Sequence, residues 1–406
     1  MKVVIVDGDV SYPATSGKRL RTLNLMLQLS HKHEITYVAR SEGDAAQDQE
    51  AAAFLRQRGV LPVLVPDPLP RKRGLSFYAR LAANLFSPLP YSVASHHSDK
   101  LRAAVAELVA RQTIDLFQLE WSGYLYAVPP QMPIVLQAHN IDSLIWQRYH
   151  EAETHPLRRW YIARQWQKFL RFEREAFRAV RDIVTVSVED ATLARQWFGV
   201  DHFEVVDNGV DVHYFADVRP EAGSRAILYL GALDWRPNLD ALELLLDAIF
   251  PSVRALVPEA RLLVVGRSPP ERLRRRIAAQ DGVELHANVP DVRPFLARSA
   301  VMAVPLRIGG GSRLKVLESL AAGLPVVSTR VGAEGLALRP GQDFTQVNTP
   351  EEMTRELVRV LNHPEQARQQ AIHGRETVAG RYDWSTLAVR LERVWEKARR
   401  RGGTDR

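Results

Sequence analysis

Short, β-branched apolar runs alternate with helix-length stretches along this chain of 406 residues, and the alternation runs through twice. Parallel strands need long crossover connections and bury both faces of their sheet, so this pattern specifies doubly wound α/β architecture. In the first half the pattern predicts strands at 3–6, 35–39, 63–65, 116–119, 134–138, 183–187 and 204–206. Helices are expected over 17–30, 47–58, 100–111, 157–180 and 188–198. The series restarts at 226–230 and continues with strands at 261–265, 283–286, 301–304 and 325–328, with helices at 238–255, 312–322 and 351–361. The division that follows is a first Rossmann-like domain over 1–210, a polar linker over 211–225 carrying Pro220 and Gly223, a second Rossmann-like domain over 226–380, and a terminal segment over 381–406. In such sheets ligands bind where loops leave the carboxyl ends of the strands.

The composition narrows the chemistry. There is no cysteine, which removes disulfides, thiolate metal sites and cysteine nucleophiles and fits a reducing cytoplasm. The opening MKVVIVDGDV is too short an apolar run for a secretory signal, and no stretch approaches the length of a membrane span. A net charge of +7 favours anionic partners, yet the cations are spread over both halves rather than gathered in a tail or stripe. A nucleic-acid partner is therefore disfavoured.

The densest chemical signal is Val304-Pro305-Leu306-Arg307-Ile308-Gly309-Gly310-Gly311-Ser312-Arg313-Leu314-Lys315-Val316-Leu317-Glu318. A strand ends, three glycines let the backbone turn and approach a ligand closely, and a helix is expected from Ser312. Free N–H groups in a first helical turn attract anions. Arg313 and Lys315 oppose the helix dipole there, a cost that a bound diphosphate would reverse. Glu318 shares a helix face with Lys315 and could accept hydrogen bonds from ribose hydroxyls. Without a ligand, the same residues would be a glycine-rich connection with surface charges and an internal Lys–Glu pair.

Together with SYPATSGKRLRTLNL, QAHNIDS, VVDNGVD, LGALDWRPNLDAL, VVGRSP, ANVPDVRPFL and GLPVVSTRVGAEGL, this segment resembles glycosyltransferase family 4, the retaining enzymes of GT-B fold. The resemblance is to the bacterial exopolysaccharide and envelope-glycan subgroup with a GGG-Ser/Thr-Arg-x-Lys-x-x-Glu loop. It implies two domains facing across a cleft, a nucleotide-diphosphate sugar as donor, and a glycan or polyprenyl-diphosphate-linked acceptor. It also implies no cofactor and no obligatory metal. Arg313 and Lys315 would stabilise the leaving diphosphate, with Gly309, Gly310, Gly311 and Ser312 cradling it and Glu318 holding ribose. His139 matches the family histidine that contacts the transferred sugar, although a lone histidine after a strand is often only a structural hydrogen-bonder. Gly17 falls in the loop near the donor phosphates, where Lys18 stands in place of a second glycine. Val289 matches the position that reads the base through its backbone, with Arg267 close by.

Three departures from the family stand out. Ala232 and Pro237 replace an arginine and a lysine, and Gly310 replaces the first glutamate of a pair. Arg313 and Lys315 would supply the charge instead, with Arg236 as an auxiliary cation. The stretch 157–180 mixes Trp160, Tyr161, Trp166, Phe169 and Phe172 with seven cations. It reads either as a helix lying on an anionic inner-membrane leaflet or as a long helix with one buried and one solvated face. Arg71-Lys72-Arg73 would add to the first. The terminal segment, capped by Ser385, is by resemblance a helix returning to the first domain. The expected activity is retaining sugar transfer in the cytoplasm, at or near the membrane's inner face. A nucleotide-sugar epimerase and a non-catalytic nucleotide-sugar-binding subunit are the alternatives.

Overall fold

The computed structural model describes residues 1–308 and 313–404. The chain divides into two compact units, Met1–Asp207 with Leu387–Arg406, and Asn208–Thr386.

In the first unit the strands are β1 (Lys2–Asp7), β2 (Glu34–Ser41), β3 (Val60–Pro66), β4 (Leu116–Leu119), β5 (Ile134–Ala138), β6 (Asp182–Thr185) and β7 (Phe203–Val205). All pair in parallel in the order β3-β2-β1-β4-β5-β6-β7. The winding reverses between β1 and β4, which makes their carboxyl ends the switch point. Helices cover both faces, so the strands read as continuous apolar runs, and Val4, Val6, Phe117, Leu119, Leu136 and Ile183 are buried.

Gly17–Ser30 is a helix capped by the Ser16 hydroxyl, which accepts from Arg19 N. Val188–Phe198 is capped by Ser187 and ends at Gly199, whose φ of 65° is the left-handed conformation glycine tolerates best. Three helices of this unit were not anticipated: Leu75–Asn84, Tyr91–His96 and Asp142–Ala152. None has a side-chain N-cap, so the local start signal is absent. The expected 157–180 helix spans Pro156–Ala179 and buries Gln165, Phe169, Glu173, Ala176 and Phe177. That settles its core-facing side as a packing surface; Leu157 and Trp160, near its start, remain exposed.

The terminal helix, Trp384–Thr404, lays Trp395 wholly inside the first unit, where its Nε1 donates to Gln118 Oε1 at 2.7 Å. Ion pairs from Arg390 to Asp207, Lys397 to Glu204 and Arg401 to Asp182 run along it.

The second unit's sheet contains β8 (Ala226–Leu230), β9 (Arg261–Gly266), β10 (Val283–Ala287), β11 (Val301–Val304), β12 (Val326–Thr329) and β13 (Thr345–Val347). Its parallel order, β10-β9-β8-β11-β12-β13, places the switch point between β8 and β11. The helix expected over 238–255 comprises Arg236–Leu244, a π-helical turn at Leu245–Ile249, and Phe250–Leu256. Pro251 lacks the N–H that would continue the α-helical ladder, and the widened turn just before it accommodates that break. Val210 N donates to Tyr382 O at 2.9 Å and Val210 bridges Asp383, tying the two ends of the unit's chain together.

Candidate functional site

At the carboxyl edge of the second sheet, the loops after β8, β9 and β10 are interlocked. Gly231 N donates to Val265 O at 3.1 Å, and Leu233 N donates to Arg267 O at 2.9 Å. A Cβ on Gly266 would lie 2.0 Å from Gly231 O, so these strand ends approach as closely as glycine alone permits. Ser268 and Asn288 both take left-handed backbone, with φ of 54° and 55°. Asn288 N donates to Gly266 O, and its Oδ1 accepts from Ser268 N, both at 2.9 Å. This frame holds Arg267 and Val289, the two residues expected near a base, with Arg267 exposed and Val289 half-buried.

Across the switch point stands the Leu314–Ala321 helix, whose N-cap position is Arg313. Gly309, Gly310, Gly311 and Ser312, expected to cradle phosphate, lie outside the described residues. Lys315 reaches from the helix to the end of β8. Its Nζ lies 2.9 Å from Asn238 Oδ1 and 5.2 Å from the Tyr229 ring centroid, and a Cβ on Gly231 would sit 3.1 Å from it. Asn238 is itself fixed, because its Nδ2 donates to Ala232 O and its carbonyl accepts from the Tyr229 hydroxyl.

Burial, and then the neighbouring positive charge of Arg313, push the Lys315 ammonium down to about 7 against the attraction of Glu318. Burial pushes Glu318 up to about 7, with Lys315 pulling the other way. Arg313 is only 6% exposed, and its Nη2 lies 3.4 Å from Glu334 Oε2. Arg313, expected beside the leaving diphosphate, is an inward arginine whose positive charge acts on Lys315. Arg307 is paired bidentately with Asp240, at 2.6 and 3.0 Å, and Arg236 is exposed. A lysine held by a neutral amide beside a second cation is electrostatically short of negative charge, which an anion at Gly231 would supply.

In the first unit, the switch point between β1 and β4 carries a dense carboxylate network. Asp7 is fully buried and accepts from the Tyr37 hydroxyl at 2.9 Å, Ser11 Oγ at 3.2 Å and Lys18 Nζ. Lys18 also pairs with Asp9, which Arg19 holds from its other oxygen at 2.6 Å. Desolvation depresses the Lys18 ammonium, but the two aspartates outweigh it and raise it overall. The charge of Lys18 is therefore consumed within the protein, and Gly17 opens the helix behind it.

Glu120, just past β4, accepts from Thr22 Oγ1 at 2.5 Å, Gln118 Nε2 at 2.5 Å and His139 Nε2 at 2.8 Å. Burial alone would raise its carboxyl, but the hydrogen bond and charge of His139, with Lys18 and Thr22, hold it at about 2. The bond fixes the His139 ring and commits Nε2 to Glu120, so Nδ1 is the ring nitrogen outside that bond. Neither Glu120 nor Asn238 was singled out from sequence. Glu120 carried one usable sign, its place at the carboxyl end of the fourth strand; Asn238 carried only its place within LGALDWRPNLDAL.

A cavity of about 520 Å³ opens at the opposite, amino edge of the second sheet, lined by residues such as Ser299, Pro325, Leu361 and Arg375. It is remote from the strand ends where the charged loops converge.

Residues 224–363 match the family described as Glycosyl transferases group 1. This stretch is a group 1 glycosyltransferase domain. It holds every residue of the second unit's charged cluster, Lys315, Glu318, Arg313 and Asn238 included. Beyond it, the chain is 26% identical over 288 residues to MMP alpha-(1->4)-mannosyltransferase of Mycolicibacterium hassiacum, spanning 68% of each protein. It is 32% identical over 231 residues to phosphatidyl-myo-inositol mannosyltransferase of Mycobacterium tuberculosis, covering 52% of this chain and 58% of that one. The chain thus spans little more than half the length of the phosphatidylinositol mannosyltransferases it matches. Solved structures agree on the fold. HepE of Anabaena, in complex with UDP and glucose, superposes at a TM-score of 0.67 with 13% identity, over 98% of this chain and 100% of that one. WaaG, a glycosyltransferase involved in lipopolysaccharide biosynthesis, gives 0.62 with 14% identity, over 96% and 98%. The group 1 domain is accordingly part of a GT-B fold.

Proposed function

We propose that this chain transfers a hexosyl group, with retention, from a nucleoside-diphosphate sugar to a lipid-linked or glycan acceptor in envelope-glycan or exopolysaccharide assembly. Mannose is the first donor sugar to test, because relatives this chain matches bear mannosyltransferase names. One observation carries the reading: Lys315, under the field of Arg313, converges with Asn238 on Gly231 at the sheet's switch point. A diphosphate at that point would meet preorganised positive charge, which stabilises a leaving group without reorganisation. Glu318 would take the ribose hydroxyls. His139, oriented by Glu120, would contact the transferred sugar, and the backbone near Arg267 and Val289 would read the base. Gly309 to Ser312 complete the phosphate cradle in this proposal.

Peripheral attachment to an anionic membrane face is part of the same reading. Residues 71–98 and 154–172 contain no acidic side chain and carry four and five Lys/Arg residues. Asn84 and the Tyr91 backbone join these stretches by bonding Gln165, and Leu75, Tyr78, Phe86, Leu157 and Trp160 are exposed on them. Basic charge with exposed aromatics suits an anionic lipid surface. Among the described residues, no helix is long and apolar enough to cross a membrane.

The test is nucleotide release from GDP-mannose and UDP-hexoses, with and without phosphatidylinositol or polyprenyl-linked acceptors, and anomeric analysis of any product by NMR. Acceptor-dependent release that falls by about a hundredfold in Arg313→Ala and Lys315→Met is expected. An epimerised donor formed without acceptor, or donor binding with no turnover, would replace the proposal with an epimerase or a binding subunit.

A further inference from the structure

The Asp142–Ala152 helix begins three residues after β5, and His139 is the first residue of that short connection. At its N-cap stands Ile141, which offers no side-chain hydrogen bond. An uncapped start would leave first-turn N–H groups unsatisfied at a buried site. They are satisfied from elsewhere: Glu173, in the C-terminal half of Pro156–Ala179 and 1% exposed, accepts from Asp142 N at 2.7 Å and Ser143 N at 2.9 Å. It also accepts from Ser143 Oγ. Asp142 in turn accepts from Trp121 Nε1 at 2.7 Å.

The His139 connection is therefore pinned at both ends. On one side, β5 is in register with β6, with Ala138 opposite Thr185, and Glu120 holds the ring. On the other, Glu173 fixes the backbone. A serine or aspartate at position 141 would cap the helix without tying it to anything else. A carboxyl group reaching in from another helix sets where the helix start lies in the unit, and with it the reach of the imidazole.

We infer that Glu173 is a positioning residue for His139, holding the imidazole where the reacting sugar needs it. The inference rests on the proposed contact between His139 and the sugar. Glu173→Gln keeps an amide oxygen to accept from the helix start but places an NH2 group against the Ser143 donors, which shifts the connection. The expected result is a fall in kcat of roughly ten- to a hundredfold with donor KM held within about twofold, since small misplacements near reacting atoms cost rate. In a His139→Ala background the same change should cost less than about twofold, because neighbours acting through one group are not additive.

The decisive readout besides activity is the ring 1H–15N spectrum of His139, which should shift in Glu173→Gln whether or not the chain transfers sugar. Equal losses in the wild-type and His139→Ala backgrounds, or an unchanged His139 ring spectrum, would overturn the inference. Absence of transfer with a shifted spectrum would instead refute the proposed function and leave the Glu173–His139 coupling standing. Should Glu173→Gln not fold, Glu173→Asp, which keeps the carboxyl group and shortens the reach by one methylene, carries both comparisons.

Discussion

Lys315→Met tests the diphosphate site through protons rather than turnover. In the free protein, burial and then Arg313 hold the Lys315 ammonium at about 7. A phosphate oxygen arriving within about 4 Å contributes roughly 4 kcal/mol per unit charge at an effective dielectric near 20. At about 1.4 kcal/mol per pKa unit, that raises Lys315 by about three units in the complex. Between about pH 7 and about pH 10 the complex then holds a proton that the free protein has lost. Affinity for a nucleoside diphosphate should accordingly be flat below about pH 7 and fall by up to about tenfold per unit above it. Isothermal titration calorimetry in buffers of different ionisation enthalpy reads this directly, as uptake approaching one proton near pH 8.5, by the same linkage. Lys315→Met should bind more weakly at neutral pH and lose the uptake, while ionisation of the nucleotide itself is common to both proteins and cancels. Glu318, pushed up by burial into the same range, is separated by repeating the titration in Glu318→Gln. Uptake that is absent in the wild type, or that persists in Lys315→Met, would refute the placement of phosphate beside this amine.

Further expectations concern stability and site shape. The Glu120 carboxyl is held at about 2, against a reference of 4.5, so its contribution is fully present above pH 4.5 and is lost as pH falls toward 2. Urea midpoints across that window should show an acid-sensitive component on the order of 3 kcal/mol that Glu120→Gln lacks; parallel curves would contradict it. Gly266→Ala would force a Cβ against Gly231 O and Leu233, so a loss of about 1–3 kcal/mol and weaker nucleotide binding are expected from thermal unfolding and calorimetry. A variant with wild-type melting and affinity would show that these strand ends have room to spare. Trp395→Ala removes a wholly buried side chain and its bond to Gln118, and should cost about 3–5 kcal/mol by chemical denaturation. A cost under about 1 kcal/mol would mean that the terminal helix docks without that anchor.

The two parallel sheets were legible in the amino-acid sequence because a strand covered on both faces must be apolar along its whole length, and such runs as Val3–Val6 and Val301–Val304 are local facts. The switch-point rule then directed attention to the strand ends where Lys315 meets Asn238 and His139 meets Glu120. Capped helices were equally local: Ser16 and Ser187 mark their starts within a few residues. What the folded chain decided are pairings with no local trace. Lys18 is spent on Asp7 and Asp9, Arg313 turns inward toward Glu334, and Asn238 catches Lys315 from 77 positions away. The helix start beside His139 looked like loop in the sequence because its cap comes from Glu173, 31 positions downstream. Propensity and periodicity act over a few residues, whereas the fate of a buried charge depends on which partner the fold brings within about 3 Å, and only the tertiary arrangement sets that distance.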